Sequence, residues 1–166
     1  MSDNDNDNNS NDSTPGVRFP PPLIFLLGLL VGIGLEQALF DWALVRPERL
    51  FWLRLLALGF AAAAAWLLTA ALGGFRRQGN DPRPWREDSA LVIEGIYRHT
   101  RNPMYVGMAL AYAAVALWLN TLWPLLTLGP VLFAIRHYVI AREEAYLERR
   151  FGVAYRDYCR RVRRWM

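Results

Sequence analysis

Two carboxylates near the end of the chain are the residues best placed to do chemistry. Glu143 and Glu144 directly follow an apolar stretch, within which Arg136 and His137 lie about two helical turns earlier. A carboxylate pair at a membrane surface can bind a cationic or hydroxyl-bearing ligand. The alternative, which the spacing favours, is a solvated helix start in which Glu144 binds an arginine further along the chain. Arg136 and His137 either face a cavity or a partner, as ionisable groups in membrane segments usually do, or snorkel to the interface.

Apolar segments long enough to cross a bilayer must position these side chains. Residues 55–75 are uncharged, and residues 102–135 form an uncharged run that is too long for one span but has a natural turn at Asn120 and Thr121. The sequence therefore predicts an all-α integral membrane protein with about four transmembrane helices, the last two forming a hairpin. The predicted spans lie near residues 22–41, 52–73, 104–119 and 122–140.

The ends of the chain and the placement of arginine complete the predicted organisation. Residues 1–18 are expected to form a disordered polar tail, because they can bury very little apolar surface. Residues 19–166 are then a single domain. Arginines are concentrated in the 74–103 loop and in residues 141–166, which the positive-inside rule assigns to the cytoplasm. We therefore expect a multi-pass protein of the inner or plasma membrane with both termini in the cytoplasm.

The composition excludes several other classes of protein. The single cysteine, Cys159, rules out an internal disulfide framework, and with only two histidines no metal site is expected. The chain has neither a phosphate-binding GxxxxGK[ST] loop nor a GxSxG nucleophile elbow, and its Gly32-Ile33-Gly34 segment is not a dinucleotide fingerprint. No nucleic-acid partner is expected, and the sequence does not indicate the oligomeric state.

Two polar segments are patterned too strongly to be simple linkers. Residues 82–107 combine proline and glycine with a short apolar run. In residues 143–165, apolar side chains recur at the helical period opposite arginines, namely Leu147, Phe151, Tyr155, Tyr158, Val162 and Trp165. Such an amphipathic tail can lie on anionic headgroups, and it can also close a pocket. Gly152 is expected to separate two helices in this tail.

Two blocks in these polar segments resemble a known family. The first is Gly95-Ile96-Tyr97 followed by Arg101-Asn102-Pro103-Met104-Tyr105-Val106-Gly107. The second is Glu143-Glu144 followed by Phe151-Gly152-x-x-Tyr155-x-x-Tyr158. In this order, and separated by a helical hairpin, they resemble the isoprenylcysteine carboxyl methyltransferase family. The phospholipid N-methyltransferases share the same layout. The resemblance covers about residues 82–162.

The resemblance implies a membrane enzyme that transfers a methyl group from S-adenosylmethionine. The cofactor pocket of that family faces the cytoplasm and is formed by the last spans, the loop before them and the C-terminal segment. By position, the residues implied to bind the cofactor are Ser89, Ala90, Leu91, Val92, Tyr97, Asn102, Pro103, Met104, Tyr105 and Glu143. Arg136, His137 and Glu144 are the candidates for contact with the substrate, whereas no catalytic residue is assigned.

Two positions depart from the family pattern and leave the methyl acceptor open. Asn102 stands where many members have histidine, and asparagine cannot carry a proton at neutral pH. Val139 stands where the eukaryotic carboxyl methyltransferases have an arginine. The resemblance implies a small or lipid-like acceptor, which is either the carboxyl group of an isoprenoid-type substrate or a lipid amine. The alternative function is a non-catalytic membrane packing or assembly protein that retains the family scaffold and uses Gly28 and Gly32 as a packing face.

Overall fold

The computed structural model describes residues 19–77 and 91–165. The predicted tail at residues 1–18 and the implied cofactor residues Ser89 and Ala90 lie outside these ranges. Within them the chain is helical, with a single isolated bridge between Ala43 and Thr121. The helices are α1 Pro21–Ala38, α2 Leu50–Arg77, α3 Pro103–Leu119, α4 Trp123–Ala134, α5 Ala141–Phe151 and α6 Val153–Arg161. Short 3-10 turns precede α2 at Pro47–Arg49 and α3 at Gly95–Arg98.

Three helical stretches are long and apolar enough to cross a membrane. They are Pro21–Ala38, Pro47–Gly74 and Trp123–Phe151, and α3 is a shorter apolar helix of 17 residues. At 1.5 Å per residue α3 is about 26 Å long, near the lower limit for a membrane span. The prediction of an all-α membrane fold is confirmed.

Glycines bring the helices together in two close pairs. A Cβ atom at Gly107 of α3 would lie 2.9 Å from Leu68 Cγ on α2. A Cβ atom at Gly32 of α1 would lie 2.6 Å from Pro124 Cα at the start of α4. Only glycine allows such an approach between helices. Gly28 and Gly32 thus pack inside the bundle, against α4.

One end of the bundle is closed by the predicted turn between α3 and α4. Asn120 has a left-handed backbone with φ of 57°, and its side chain bonds both the amide and the carbonyl of Val45 at 3.0 Å. The indole of Trp123 donates to the carbonyl of Phe40 at 3.0 Å. These contacts hold the segment after α1 away from helical geometry. The helix therefore ends at Ala38 rather than at residue 41.

At the other end, the long helices continue past their predicted limits. α2 runs to Arg77, and Gly74 within it gives room for the ring of Tyr97, 3.3 Å from where a Cβ atom would be. α4 does not stop at residue 140 but passes through a π-helical turn, Ile135–Ile140, directly into α5. Glu143 and Glu144 are consequently inside a continuous helix and not at the start of one. Gly152, with φ of 52°, separates α5 from α6 as predicted.

Candidate functional site

The polar side chains of the two sequence blocks meet where α3 begins. Pro103 opens α3 and is fully buried, and Tyr105 lies in its first turn. The Tyr105 hydroxyl donates to Glu143 Oε1 on α5 at 2.6 Å. The ring of Tyr105 belongs to a buried cluster that also contains Ile135, Val139 and Ile140. This packing fixes the phenol so that it joins the first block to the second.

The last described residues, 162–165, lie across the loop that precedes α3, and we call them the C-terminal strap. The amide of Arg101 donates to the carbonyl of Arg163 at 3.0 Å. The carbonyl of Arg164 accepts from Thr100 Oγ1 at 3.3 Å and from the side-chain amide of Asn102 at 3.0 Å. Trp165 packs against the buried cluster that contains Tyr105. The strap thereby covers the start of α3.

Glu144 is held by two arginines from different parts of the chain. Arg164 donates through Nε to Glu144 Oε1 at 2.9 Å and through a second nitrogen to the other carboxylate oxygen. Arg101 Nη1 lies 3.1 Å from Glu144 Oε1. The hydrogen bond with Glu144 raises the pKa of the Arg164 guanidinium. Of the two alternatives for Glu144, the structure contains the pairing with a downstream arginine, and that arginine is Arg164.

A small apolar cluster joins the segment before α3 to α2. Val92 and Tyr97 are buried together with Ala71 of α2, and Ile96 and Met104 pack against them. Gly95, with φ of 62°, makes the turn that brings Tyr97 back towards α2. The hydroxyl of Tyr158 on α6 donates to the carbonyl of Tyr97 at 2.7 Å. Burial raises the pKa of Tyr158 above its ordinary value, which keeps the phenol neutral as a donor.

The structure brings together most of the implied cofactor residues that it describes. Contacts join Val92, Tyr97 and Met104 in one cluster, Tyr105 to Glu143, and Asn102 through Arg164 to Glu144. Leu91, next to Val92, is half-buried.

Arg136 and His137 are placed differently from the two carboxylates. Both lie in the π-helical turn with exposed side chains. His137 Nδ1 contacts the carbonyl of Phe133 at 3.0 Å, and its ring packs on the exposed Phe133 with centroids 4.2 Å apart. These contacts lie on the outside of the bundle. The structure therefore does not bring Arg136 or His137 into contact with the Tyr105 and Glu143 pair.

Several residues of the site were not assigned a role from the sequence. Arg101 belongs to the first sequence block, but no function was predicted for it. In the structure its Nη1 donates to Cys159 Sγ at 2.6 Å and also contacts Glu144. Within the described ranges, Arg101 Nε is buried and has no hydrogen-bond partner. Arg164 had no distinguishing signal, because it is one of eight arginines in residues 141–166.

Two further features are a lack of metal ligands and a separate apolar groove. Among the residues in the described ranges, no group of three or more histidine, cysteine or acidic side chains could hold a metal ion. A groove with a volume of about 600 Å³ lies between α2 and α3, lined by apolar residues including Trp52, Gly59 and Leu110. Its lining residues come from the first half of α2 and from α3, and they do not include the polar residues around Glu143.

Together these features define an integral membrane protein in a lipid bilayer, with a polar site at one end of a helical bundle. The chain belongs to the phospholipid methyltransferase family, which it matches over residues 52–154. The matched region contains both Tyr105 and Glu143. The resemblance inferred from the sequence blocks is confirmed.

Two relatives share part of the chain. A Haemophilus influenzae protein described only as uncharacterized is 45% identical over 65 residues, which is 38% of this chain and 100% of that protein. A protein-S-isoprenylcysteine O-methyltransferase of Schizosaccharomyces pombe is 34% identical over 76 residues. That match covers 46% of this chain and 32% of the yeast enzyme. No solved structure matches the chain.

Proposed function

We propose that this protein is an S-adenosylmethionine-dependent methyltransferase whose cofactor lies against the Tyr105 and Glu143 pair. The observation that carries the proposal is the 2.6 Å hydrogen bond between these side chains. It links the two blocks typical of membrane methyltransferases within the region that matches the family. We also propose that this end of the bundle faces the cytoplasm, because it contains the arginine-rich tail.

The described residues fit the proposed cofactor, which supplies an activated methyl group on a cationic sulfonium. Glu143 is a half-buried carboxylate that can oppose a positive charge, and Tyr105 holds it in place. Arg101 Nε is a buried donor without a partner in the described ranges and is suited to an anionic or carbonyl group. Asn102, Pro103 and Met104 would line the cofactor beside them. Ser89, Ala90 and Leu91 remain predicted contacts.

Methyl transfer of this kind is an in-line displacement, so the protein acts chiefly by alignment and by exclusion of water. The apolar cluster of Val92, Tyr97 and Met104 supports exclusion of water on the side of the site next to α2. The C-terminal strap supports exclusion of water at the start of α3, because Trp165 packs against the buried cluster that contains Tyr105. A lipophilic acceptor can then approach from the bilayer between the helices.

For the acceptor, the charges around the site favour a lipid amine over an isoprenoid carboxyl group. Val139 is completely buried in the apolar cluster and offers no cation to a carboxylate. Arg101 and Arg164, which do contact the carboxylate pair, both bind Glu144. An amine acceptor must lose a proton before it attacks. Glu144 is already bound by arginines and His137 lies on the outside of the bundle, so no residue is assigned to accept that proton.

The alternative of a non-catalytic packing protein is less well supported. It requires Gly28 and Gly32 to be available to a partner helix. Both instead face α4, where a Cβ atom at Gly28 would overlap Val131 Cγ2. The close packing that these glycines allow is therefore used within the chain.

The first test is calorimetric binding of S-adenosylmethionine and S-adenosylhomocysteine to the detergent-purified protein. We expect micromolar binding of both by the native protein and loss of binding in Glu143→Gln, which keeps the size of the side chain. A folded, monodisperse preparation that binds neither compound would reject the proposed cofactor.

A second test identifies the acceptor class with methyl-labelled S-adenosylmethionine. The protein is supplied either with vesicles containing phosphatidylethanolamine or with a prenylated cysteine. Label on an amine is stable to alkali, whereas label in a methyl ester is released as methanol. We expect alkali-stable label in the lipid. Label found only in the alkali-labile product would assign a carboxyl acceptor instead.

A further inference from the structure

We infer that Arg164 is a positioning residue that holds the two halves of the candidate site together from the C-terminal strap. This inference rests on the proposed function, since the site it positions is the proposed cofactor site. One half is the start of α3, with Asn102 directly before the helix and Tyr105 in its first turn, and the other is the turn of α5 that bears Glu143 and Glu144.

The side chain of Arg164 holds the half of the site on α5. Its guanidinium binds both oxygens of Glu144, a geometry that fixes orientation as well as distance. The Glu144 side chain is only 18% exposed and the Arg164 side chain 34%, so the pair is partly shielded from solvent. Because Glu143 directly precedes Glu144 in the same helix, fixing Glu144 restrains the backbone that carries Glu143.

The backbone of Arg164 holds the other half of the site. Its carbonyl accepts one hydrogen bond from the Thr100 hydroxyl and one from the Asn102 side chain. Thr100 is almost completely buried, so its hydroxyl is directed within the protein. The same residue thus contacts the loop through its backbone and α5 through its side chain.

Arg101 closes the link between the two halves. Its amide donates to the carbonyl of Arg163 in the strap, while its guanidinium contacts Glu144 and Cys159. The Arg101 side chain is 15% exposed. Without Arg164, Glu144 would keep one arginine but lose its bidentate partner, and the strap would lose its side-chain attachment to α5. The Tyr105 and Glu143 pair would then be less well aligned.

The test compares single substitutions in the full-length protein. Arg164→Gln removes the guanidinium and leaves the backbone of the strap. Arg164→Lys keeps the positive charge but cannot form the bidentate hydrogen bonds to both oxygens of Glu144. Arg160→Gln is the matched control, because it removes one arginine charge from the same tail at an exposed residue whose ion pair is local, with Asp157. Each variant is assayed for S-adenosylmethionine affinity, for KM and kcat, and for hydrogen exchange at the Arg101 amide.

We expect Arg164→Gln to weaken cofactor binding about tenfold, raising the cofactor KM more than it lowers kcat. Arg164→Lys should recover part of this loss, and Arg160→Gln should match the native protein. Exchange at the Arg101 amide should be faster in Arg164→Gln, and to a smaller extent in Arg164→Lys, than in Arg160→Gln, because the strap no longer holds the loop as firmly.

The inference is overturned if folded Arg164→Gln binds the cofactor as Arg160→Gln does. Should Arg164→Gln fail to fold, Arg164→Lys decides, and full affinity with unchanged exchange in that variant overturns the inference. Failure of the native protein to bind S-adenosylmethionine would instead reject the proposed function. Exchange at Arg101 would then still report whether Arg164 attaches the strap to the loop.

Discussion

The hydroxyl of Tyr105 and the carboxylate of Glu143 are 38 residues apart in sequence and 2.6 Å apart in the structure. The pair joins the start of α3 to α5, and the residues around it come from the loop before α3 and from the C-terminal strap. Its geometry depends on the buried cluster under Tyr105 and on the ion pairs of the neighbouring Glu144. Removing one atom of the pair therefore tests the site directly.

Tyr105→Phe is expected to weaken S-adenosylmethionine binding about tenfold, because it removes a hydrogen bond to a charged group and keeps the packed ring. Binding is measured by calorimetry. The matched control is Tyr112→Phe, two turns further along α3. It removes the hydroxyl that contacts Thr127 of α4. Tyr112→Phe should leave the affinity unchanged. Equal affinities in both variants would contradict the assignment of Tyr105.

Gly32→Ala is expected to lower the free energy of unfolding by about 1–3 kcal/mol, because the new Cβ overlaps the backbone of Pro124. Gly34→Ala is the control on the same helix. Nothing in the described ranges lies within 4 Å of a Cβ atom there, and alanine favours the helix by up to about 1 kcal/mol. Thermal unfolding in detergent should separate the two variants. A similar midpoint for both would show that α1 and α4 are less closely packed.

Asn120→Ala is expected to destabilise the protein by about 2–3 kcal/mol, because it removes two hydrogen bonds to Val45. It also places alanine, which disfavours a left-handed backbone, at a residue with positive φ. Asn120→Gly also loses the hydrogen bonds but tolerates the backbone conformation. Its loss of stability should be smaller, as measured by thermal unfolding. If the glycine variant were the less stable of the two, backbone strain would not contribute at this turn.

Attachment of the C-terminal helices is expected to weaken as the pH rises above about 10, the ordinary pKa of tyrosine. Burial raises the pKa of Tyr158 when it is packed against the Tyr97 carbonyl. The packed phenol therefore keeps its proton while a released one loses it, so alkaline pH favours release. Below the ordinary pKa this stabilisation is fully present.

Limited proteolysis of the tail across about pH 8–11 measures this effect. Tyr158→Phe should cost about 1 kcal/mol at neutral pH and show a shallower alkaline loss. Burial also raises the pKa of Tyr155, which remains in this variant, so some pH dependence should persist. An unchanged alkaline profile in Tyr158→Phe would assign the effect to another group.

Much of the fold could be predicted from the sequence, because long uncharged segments have few alternatives to membrane helices. The turn at Asn120 and Thr121, the break at Gly152 and the all-α membrane fold were predicted and are observed. The helix limits differ from the predicted spans. α1 is shorter than its predicted span and α2 and α4 continue further, since contacts with other segments decide where helical geometry ends.

By itself, the sequence determined the class of membrane protein and the two blocks that form the candidate site, because hydrophobic length and local motifs are properties of short segments. Only the tertiary structure decided that Glu144 pairs with Arg164 and Arg101, and that Arg136 and His137 lie outside. Eight arginines follow residue 140 and are chemically identical in sequence. Which of them reaches a carboxylate depends on long-range packing, on the π-helical turn and on the path of the strap, none of which has a local signal.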